Sequence, residues 1–406
     1  MTRRFALLVA VALVVVAAST GPRAQTPRAI VVLVSFDGWR ADYIDRANVP
    51  NLKALAARGV RAKAMIPSFP SLTFPNHYTI VTGLYPSHHG IVANNFVEPG
   101  FPLRFGMSAE TAKDPHWWGG EPIWVTAIRQ GRRAMDMFWP GSEVEIRGVR
   151  PTEFRPYDGN VPNANRVAQT LAWLALPEDR RPSFVSLYFS DVDHAGHLAG
   201  PESHEVLDAA AALDASLGQL VDGIARIGLG DRTTVVVVSD HGMSQLSYSR
   251  MIYLDDALDL STVDITEEHG SLGIWPRTMS VDALYRHLHG RYPPLTVYKR
   301  EELPASLHYA GNPRIPPIVG TLQDGWFLTS YEREARATEL HFGAHGFPPT
   351  YTSMGALFVA AGPGVRQGLL VEPFENIHVY EFMCRLLNLT PAKNDGDPSV
   401  TRGFLR

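Results

Sequence analysis

The sequence predicts an α/β fold: a mostly parallel central sheet flanked by helices, with an inserted cap or subdomain. Three observations carry that expectation. Short continuous apolar runs recur along the chain, helical patterns lie between them, and residues 244 to about 340 turn rich in proline and glycine.

The runs cover Ile30–Phe36, Phe184–Phe189 and residues 235–238, and none alternates with polar residues. Such runs suit strands buried on both faces, as in a parallel sheet covered by helices. A fourth, weaker run covers residues 356–360. Between them, residues 50–58 carry Pro50 at the start and Gly59 just past the end, the usual asymmetry of a short helix. Residues 163–176 place apolar and polar side chains at helical spacing, and residues 203–227 form a long Ala- and Leu-rich stretch closed by Gly228. Strand–helix alternation of this kind argues for an α/β sandwich. Residues 244–340 hold shorter runs and clusters such as Tyr292-Pro293-Pro294 and Asn312-Pro313-Arg314-Ile315-Pro316-Pro317. They read as a subdomain inserted between two strands of the main sheet. No internal repeat or low-complexity tract is present.

Composition narrows the function. A hydrophobic fraction of 45% with 19% charged residues is that of a packed globular protein. The formal net charge of −4 excludes the broad basic surface that duplex nucleic acid requires, so an anionic substrate must be attracted locally. At the N-terminus, Arg3 and Arg4 precede an apolar run over residues 5–18 and a small, polar segment over 19–24. This reads as an export signal over residues 1–24, leaving 28–406 as the functional domain. The run falls short of the roughly 20 apolar residues of a membrane-spanning helix, so no stable span is expected after cleavage. An uncleaved anchor is the alternative, and cleavage suits Ala24 or a position near Ser19. Cys384 is the only cysteine, which rules out an intrachain disulfide. Export without disulfides points to a bacterial periplasm or extracellular release, and Cys384 itself reads as helix core.

Each strong run ends in acid. Asp37 follows Phe36, Asp191 and Asp193 follow Phe189, and Asp240 follows Ser239. Ligands of open parallel sheets bind beyond the carboxyl ends of the strands. Carboxylates converging there repel one another unless a cation neutralises them. Any one aspartate alone also reads as turn chemistry or a helix cap. Histidines shift the balance: His197 lies four residues after Asp193, His241 adjoins Asp240, and His345 sits between Ala344 and Gly346. Aspartate with neutral imidazole suits zinc, with manganese next and calcium disfavoured. Thr73 supplies a hydroxyl just ahead of a helical pattern. Metal coordination would activate it, and the helix N-terminus would face an anionic phosphate. On spacing alone, Thr73 equally reads as a helix cap.

The motifs together resemble the nucleotide pyrophosphatase/phosphodiesterase family of the alkaline phosphatase superfamily, in a bacterial-type form with a single catalytic domain. The resemblance rests on Ser35-Phe36-Asp37-Gly38, Thr73-Phe74-Pro75-Asn76-His77-Tyr78 and Thr82-Gly83-Leu84-Tyr85-Pro86. It continues through His89-Gly90-Ile91-Val92-Ala93-Asn94, Asp193-His194-Ala195-Gly196-His197, Ser239-Asp240-His241-Gly242-Met243 and Gly343-Ala344-His345-Gly346. The resemblance implies an alkaline-phosphatase-like sheet and two zinc ions. One would be held by Asp193, His197 and His345, the other by Asp37, Asp240 and His241 with Thr73 beside it. Asn94 matches a phosphate-contacting asparagine that would act with the Thr73 amide, although the adjacent Asn95 leaves a slip of one open. His194 and Asp191 match no ligand.

The implied reaction is hydrolysis of phosphodiester or pyrophosphate bonds through a phosphothreonine on Thr73. Two displacements imply net retention at phosphorus. Phe74 matches an aromatic position that stacks on the nucleobase in relatives acting on nucleotides, with Tyr157 and Tyr188 as candidates for the opposite side. Both Phe74 and Tyr188 also read as ordinary core residues. The expected partner is thus a small phosphodiester, nucleotides first, releasing a nucleoside 5′-monophosphate. Gly106 stands where some relatives carry a larger apolar residue, and Trp117, Trp118 and Trp139 leave a choline cage, hence a phospholipid diester, as a second reading. A sulfatase is disfavoured, because Thr73-Phe74-Pro75-Asn76-His77 lacks both a convertible nucleophile and the arginine of that context. A phosphomonoesterase would need further cationic groups, and a metal-stabilised binding protein is the non-enzyme alternative. The oligomeric state is not legible.

Overall fold

The computed structural model describes residues 28–268, 270–336 and 341–406. The expected export segment lies outside them, as do the last residues of the expected insertion. Among the described residues no helix is long and apolar enough to cross a membrane.

Eight strands form the main sheet. Their order across it is Leu369–Val371, Val60–Ala62, Phe358–Ala361, Thr233–Val238, Ile30–Phe36, Phe184–Phe189, Ala134–Met137 and Glu153–Arg155. Ile30–Phe36 lies at the centre, parallel to both neighbours. Only Phe358–Ala361 runs antiparallel, so the sheet is mostly parallel, as expected. The unbroken apolar runs have a direct cause. Val31 and Leu33 join one core while Val32, Val34 and Phe36 join another, and Val236 and Val238 divide from Val235 and Val237 in the same way. Successive strand side chains point to opposite faces, and here both faces are covered.

One layer comprises the helices Pro50–Ala57, Asn163–Leu174, Asp191–Ala199 and His204–Arg226; the other includes Thr73–Thr82, Ile123–Arg129 and His378–Leu386. Ser203 caps the long helix by accepting the Val206 amide. Cys384 is buried in the second layer. Gly59 has a different reason from the one its position suggests. It does not adopt a left-handed conformation; a Cβ there would lie 2.1 Å from the Ala360 carbonyl, so close strand packing demands glycine.

Pro50–Ala57 is capped from afar. Val49 offers no capping side chain. Instead the buried Asp214 carboxylate accepts the amides of Asn51 (3.1 Å) and Leu52 (2.7 Å) and the Asn51 side-chain amide (2.8 Å). Asp214→Ala strands the buried Leu52 amide and removes the two part-buried bonds from Asn51, and is expected to cost about 2–3 kcal/mol in urea denaturation; a change below about 0.5 kcal/mol would mean that water replaces the carboxylate.

Asp136 adds a pH dependence. It is fully buried in its strand, accepts the Ser186 hydroxyl at 2.5 Å, and its other oxygen has no partner among the described residues. Burial pushes its carboxyl up to about 7, although the Ser186 bond pulls the other way. The folded chain therefore keeps a proton that the unfolded chain releases near pH 4. The contribution of Asp136 to stability is expected to fall as pH rises from about 4 to 7, by roughly 4 kcal/mol, and to be flat above. Asp136→Asn stays neutral and keeps an acceptor for Ser186. It is expected to raise the melting temperature at pH 8 and to leave it nearly unchanged at pH 4; equal shifts at both would defeat this account.

The chain between Thr233–Val238 and Phe358–Ala361 builds a second sheet, ordered Val263–Glu268, Ser271–Pro276, Ile318–Leu322 and Leu295–Lys299, all antiparallel. Helix Val281–Leu288 packs on it around Leu272, Ile274, Leu284 and Ile318. Ser244–Gln245 pairs with Gly343–Ala344 and zips the base of this unit, bringing the segments of His241 and His345 together.

Candidate metal centre and nucleophile

The carboxyl ends of the three central strands bring the sequence-derived acids to one place. Asp37 follows Ile30–Phe36, with its amide on the Phe189 carbonyl at 2.9 Å. Gly38 turns left-handed (φ 66°), donates its amide to Asp240 Oδ1 and lies so near Asp193 that a Cβ would clash at 2.8 Å. Asp193 and His197 share one face of Asp191–Ala199, their Oδ1 and Nε2 3.5 Å apart.

The three histidines are presented alike. His197 Nδ1 lies 2.9 Å from the Gly343 carbonyl, His241 Nδ1 2.8 Å from that of Gly242 and His345 Nδ1 3.0 Å from that of Ser71. A carbonyl only accepts, so in the neutral ring the proton sits on Nδ1 and the Nε2 lone pair faces the cluster. Metal-binding histidines are oriented in this manner. His241 Nε2 is 3.0 Å from Asp240 Oδ2 and 3.6 Å from Asp37 Oδ1, and His345 Nε2 is 3.8 Å from Asp193 Oδ1.

Among the described residues, Asp37 Oδ1, Asp193 Oδ1 and Asp240 Oδ2 are buried without a hydrogen-bond partner. Buried polar atoms are rarely left so. Burial, then the Asp240 and Asp193 charges, hold the Asp37 carboxyl well above the usual range. Burial opposes ionisation of Asp240 too, yet His241 and His77 beside it hold its carboxyl well below that range. Asp240 in turn raises His241 against the effect of burial, whereas burial and the His241 and His197 rings depress His345. Acceptors facing acceptors at this spacing fit a bound divalent cation. Two groups have ligand atoms within 4.8 Å of one another: Asp193, His241 and His345, and Asp37, His77 and Asp240. His241 thus stands between the two expected ligand sets. His77 belongs to neither set, and its ring is engaged otherwise, with Nε2 2.8 Å from the Ser35 hydroxyl and Nδ1 2.9 Å from the Thr73 carbonyl.

Thr73 opens the helix Thr73–Thr82 as its first residue rather than its cap. Its Oγ1 lies 3.4 Å from His241 Nε2. Asn76, for which the sequence implies no function, holds the preceding turn: its Nδ2 reaches the carbonyls of Ser68, Pro70 and Leu72, and its Oδ1 accepts the Ser68 amide. Asn94 Oδ1 accepts the Phe74 amide at 3.0 Å, which leaves Nδ2 as the arm that can donate to a substrate. Asn95 is exposed and pairs with Gly106 instead.

A cleft of about 1110 Å³ opens from Asp37, Thr73 and Asp193 toward Phe74, Tyr157 and Tyr188. Phe74 is half-buried against Phe105 and Trp118. Tyr157 is half-exposed, with its hydroxyl 3.3 Å from that of Ser190. Tyr188 is buried, and its hydroxyl donates to Asp37 Oδ2 at 2.5 Å. That bond commits Tyr188 to orienting Asp37, so Tyr157 is the better candidate for a wall facing Phe74. The three tryptophans form no open cage. Trp117, Trp118 and Trp139 are buried, and their indoles donate to the carbonyls of Thr111, Ala112 and His77. Met107, not Gly106, lines the cleft wall. Asp191 accepts the Asn163 side-chain amide, and His194 is exposed at the rim.

Comparison with known proteins follows the same lines. The family model described as type I phosphodiesterase / nucleotide pyrophosphatase matches residues 31–348. A venom phosphodiesterase from Crotalus durissus collilineatus is 39% identical over 381 residues, covering 90% of this chain and 45% of its own. The human ectonucleotide pyrophosphatase/phosphodiesterase family member 1 is 38% identical over 390 residues, covering 92% and 41%. The chain thus spans less than half the length of these curated relatives. The solved structure of murine ectonucleotide pyrophosphatase/phosphodiesterase 5 is similar over 93% of this chain and all of its own, at 33% identity and a TM-score of 0.89. A second structure of that murine protein, an inactive threonine-to-alanine variant in complex with AMP, has the same TM-score at 32% identity.

Proposed function

This chain belongs to the type I phosphodiesterase / nucleotide pyrophosphatase family, and from that premise we propose that it hydrolyses nucleotide diester and pyrophosphate bonds, releasing a nucleoside 5′-monophosphate. One observation carries the reading: the Thr73 hydroxyl, at a helix N-terminus, faces a buried cluster of unpartnered carboxylate oxygens and three histidine Nε2 atoms. Two zinc ions, one on Asp193, His197 and His345 and one on Asp37, Asp240 and His241, would offset that charge and make the Thr73 hydroxyl acidic enough to attack.

The residues of the chain divide the remaining work. Asn76 and His77 fix the turn and the carbonyl of Thr73 so that Oγ1 points at phosphorus. Asn94 Nδ2 and the amides of the first helical turn hold a nonbridging oxygen. Thr73 Oγ1 bonds to phosphorus while the bond to the leaving oxygen breaks with its electron pair. The Thr73 proton passes to solvent and the leaving oxygen takes one up; water then attacks the resulting nucleotidyl-threonine, the Thr73–phosphorus bond breaks, and the threonine oxygen is reprotonated as the nucleoside 5′-monophosphate departs. Tyr188 holds Asp37 in place throughout. Phe74 and Tyr157 bracket the nucleobase, a contact worth roughly 1–3 kcal/mol that tolerates every base. AMP in the murine relative's structure supports a nucleotide substrate here, and the buried tryptophans disfavour a choline headgroup.

The test is hydrolysis of the nitrophenyl ester of a nucleoside 5′-monophosphate beside nitrophenyl phosphate. Preference for the diester supports the reading; preference for the monoester overturns the substrate class. We further infer export from residues 1–24, in line with the venom and ecto- names of the relatives, and a bacterial origin from the single cysteine.

A further inference from the structure

A row of rings leads away from the nucleophile. Thr73 Oγ1 touches His241; the His241 ring stacks on His345 with centroids 3.6 Å apart; His197 lies 5.0 Å from His345; and His341 lies 5.8 Å from His197. At its far end the row meets an aromatic shelf. Tyr248 and Phe342 are 38% and 37% exposed and lie side by side. Their rings meet edge to face at 5.8 Å, and Tyr248 makes a like contact with Phe327.

The shelf is built, not loose. The Phe342 amide donates to the His197 carbonyl, its carbonyl accepts the Gln245 side chain and the Leu246 amide, and the His341 amide donates to the Tyr248 hydroxyl. The adjoining Gly343 carbonyl is the one that orients His197. The shelf is therefore fixed relative to the ring nearest it.

We propose that Tyr248 and Phe342, with His341, bind the leaving half of the substrate and favour diesters whose leaving group carries a nucleobase. The inference rests on the Thr73 displacement argued above. In an in-line displacement the leaving oxygen departs opposite the attacking one. With Thr73 at the His241 end, the departing group leaves toward His197 and its outer neighbours. A planar base there finds exposed aromatic faces, while the nucleotide half occupies the cleft of Phe74 and Tyr157 on the other side.

The experiment compares kcat/KM for adenylyl-(3′→5′)-adenosine, whose leaving group is adenosine, with that for the methyl ester of AMP. Both give AMP, and only one leaving group can stack. The ratio between the two is expected to fall roughly tenfold in Tyr248→Ala and in Phe342→Ala, and to hold within about twofold in Tyr248→Phe, which keeps the ring. An unchanged ratio in both alanine variants, or equal losses on both substrates, overturns the shelf while leaving the catalytic reading intact. A parent enzyme inactive on both substrates overturns the catalytic reading itself, and the shelf with it.

Discussion

Replacing Thr73 by alanine is expected to lower turnover of a nucleotide diester by roughly a thousandfold or more while the protein stays folded. The loss follows from the double displacement, since Thr73 Oγ1 is the hydroxyl placed 3.4 Å from His241 Nε2. Water attacking without the covalent step would retain only binding and electrostatic stabilisation. The fold should not notice. Thr73 is the first helical residue, the position before it is Leu72, and no side-chain cap is lost, so the stability change should stay within about 0.5 kcal/mol. Zinc content should match the parent's. Thr73→Ser keeps the hydroxyl but loses the methyl group that restricts its rotamer, and is expected to retain measurable activity, down by about tenfold to a hundredfold. Acid quenching of the parent during turnover, followed by peptide mass spectrometry, should find a nucleoside monophosphate esterified to Thr73. Parental rates in Thr73→Ala would end the covalent mechanism.

The frame of the fold is legible in the sequence because its signals are local. Ile30–Phe36, Phe184–Phe189 and residues 235–238 are apolar apart from Ser35 and Ser186, without polar alternation, and only a strand covered on both faces makes use of that. The acids that end these runs could be placed beside one another because parallel strands align their carboxyl ends. His345 is legible through its motif alone, since nothing near it in sequence points to Asp193. What was not legible depends on contacts between distant segments. Asp214 caps a helix that it follows by many residues, and its sequence context is that of an ordinary helical aspartate. Gly59 looks like a helix stop and is instead a place where two strands approach closely. Tyr188 has the pattern of a strand residue whose ring could line a slot, and only the fold shows its hydroxyl on Asp37. Asn76 and His77 lie inside the Thr73 motif, but their work is to hold a turn and a carbonyl, for which side-chain chemistry gives no sign.

Removing metal is the second large effect. Chelation followed by dialysis is expected to abolish turnover, by roughly a hundredfold at least, with zinc restoring it. The argument lies in the unpartnered oxygens of Asp37, Asp193 and Asp240. With a cation between them they are satisfied ligands; without one they are like charges facing acceptor nitrogens in a buried site. The same cluster predicts a second, independent readout. A ligand that binds only the folded chain stabilises it, by about 2.7 kcal/mol at a hundredfold excess over its dissociation constant, so the melting temperature should fall on chelation and recover with zinc. Thr73→Ala should show that thermal response in full although it turns over no substrate, because the six expected ligands remain. Asp193→Asn should blunt the response and lose activity together, since Asp193 Oδ1 sits near both His197 Nε2 and His345 Nε2. Recovery with calcium but not zinc would contradict a site with three imidazoles. Full turnover in protein shown to be free of metal would remove the cation from the mechanism, and the clustered carboxylates would then need another source of positive charge.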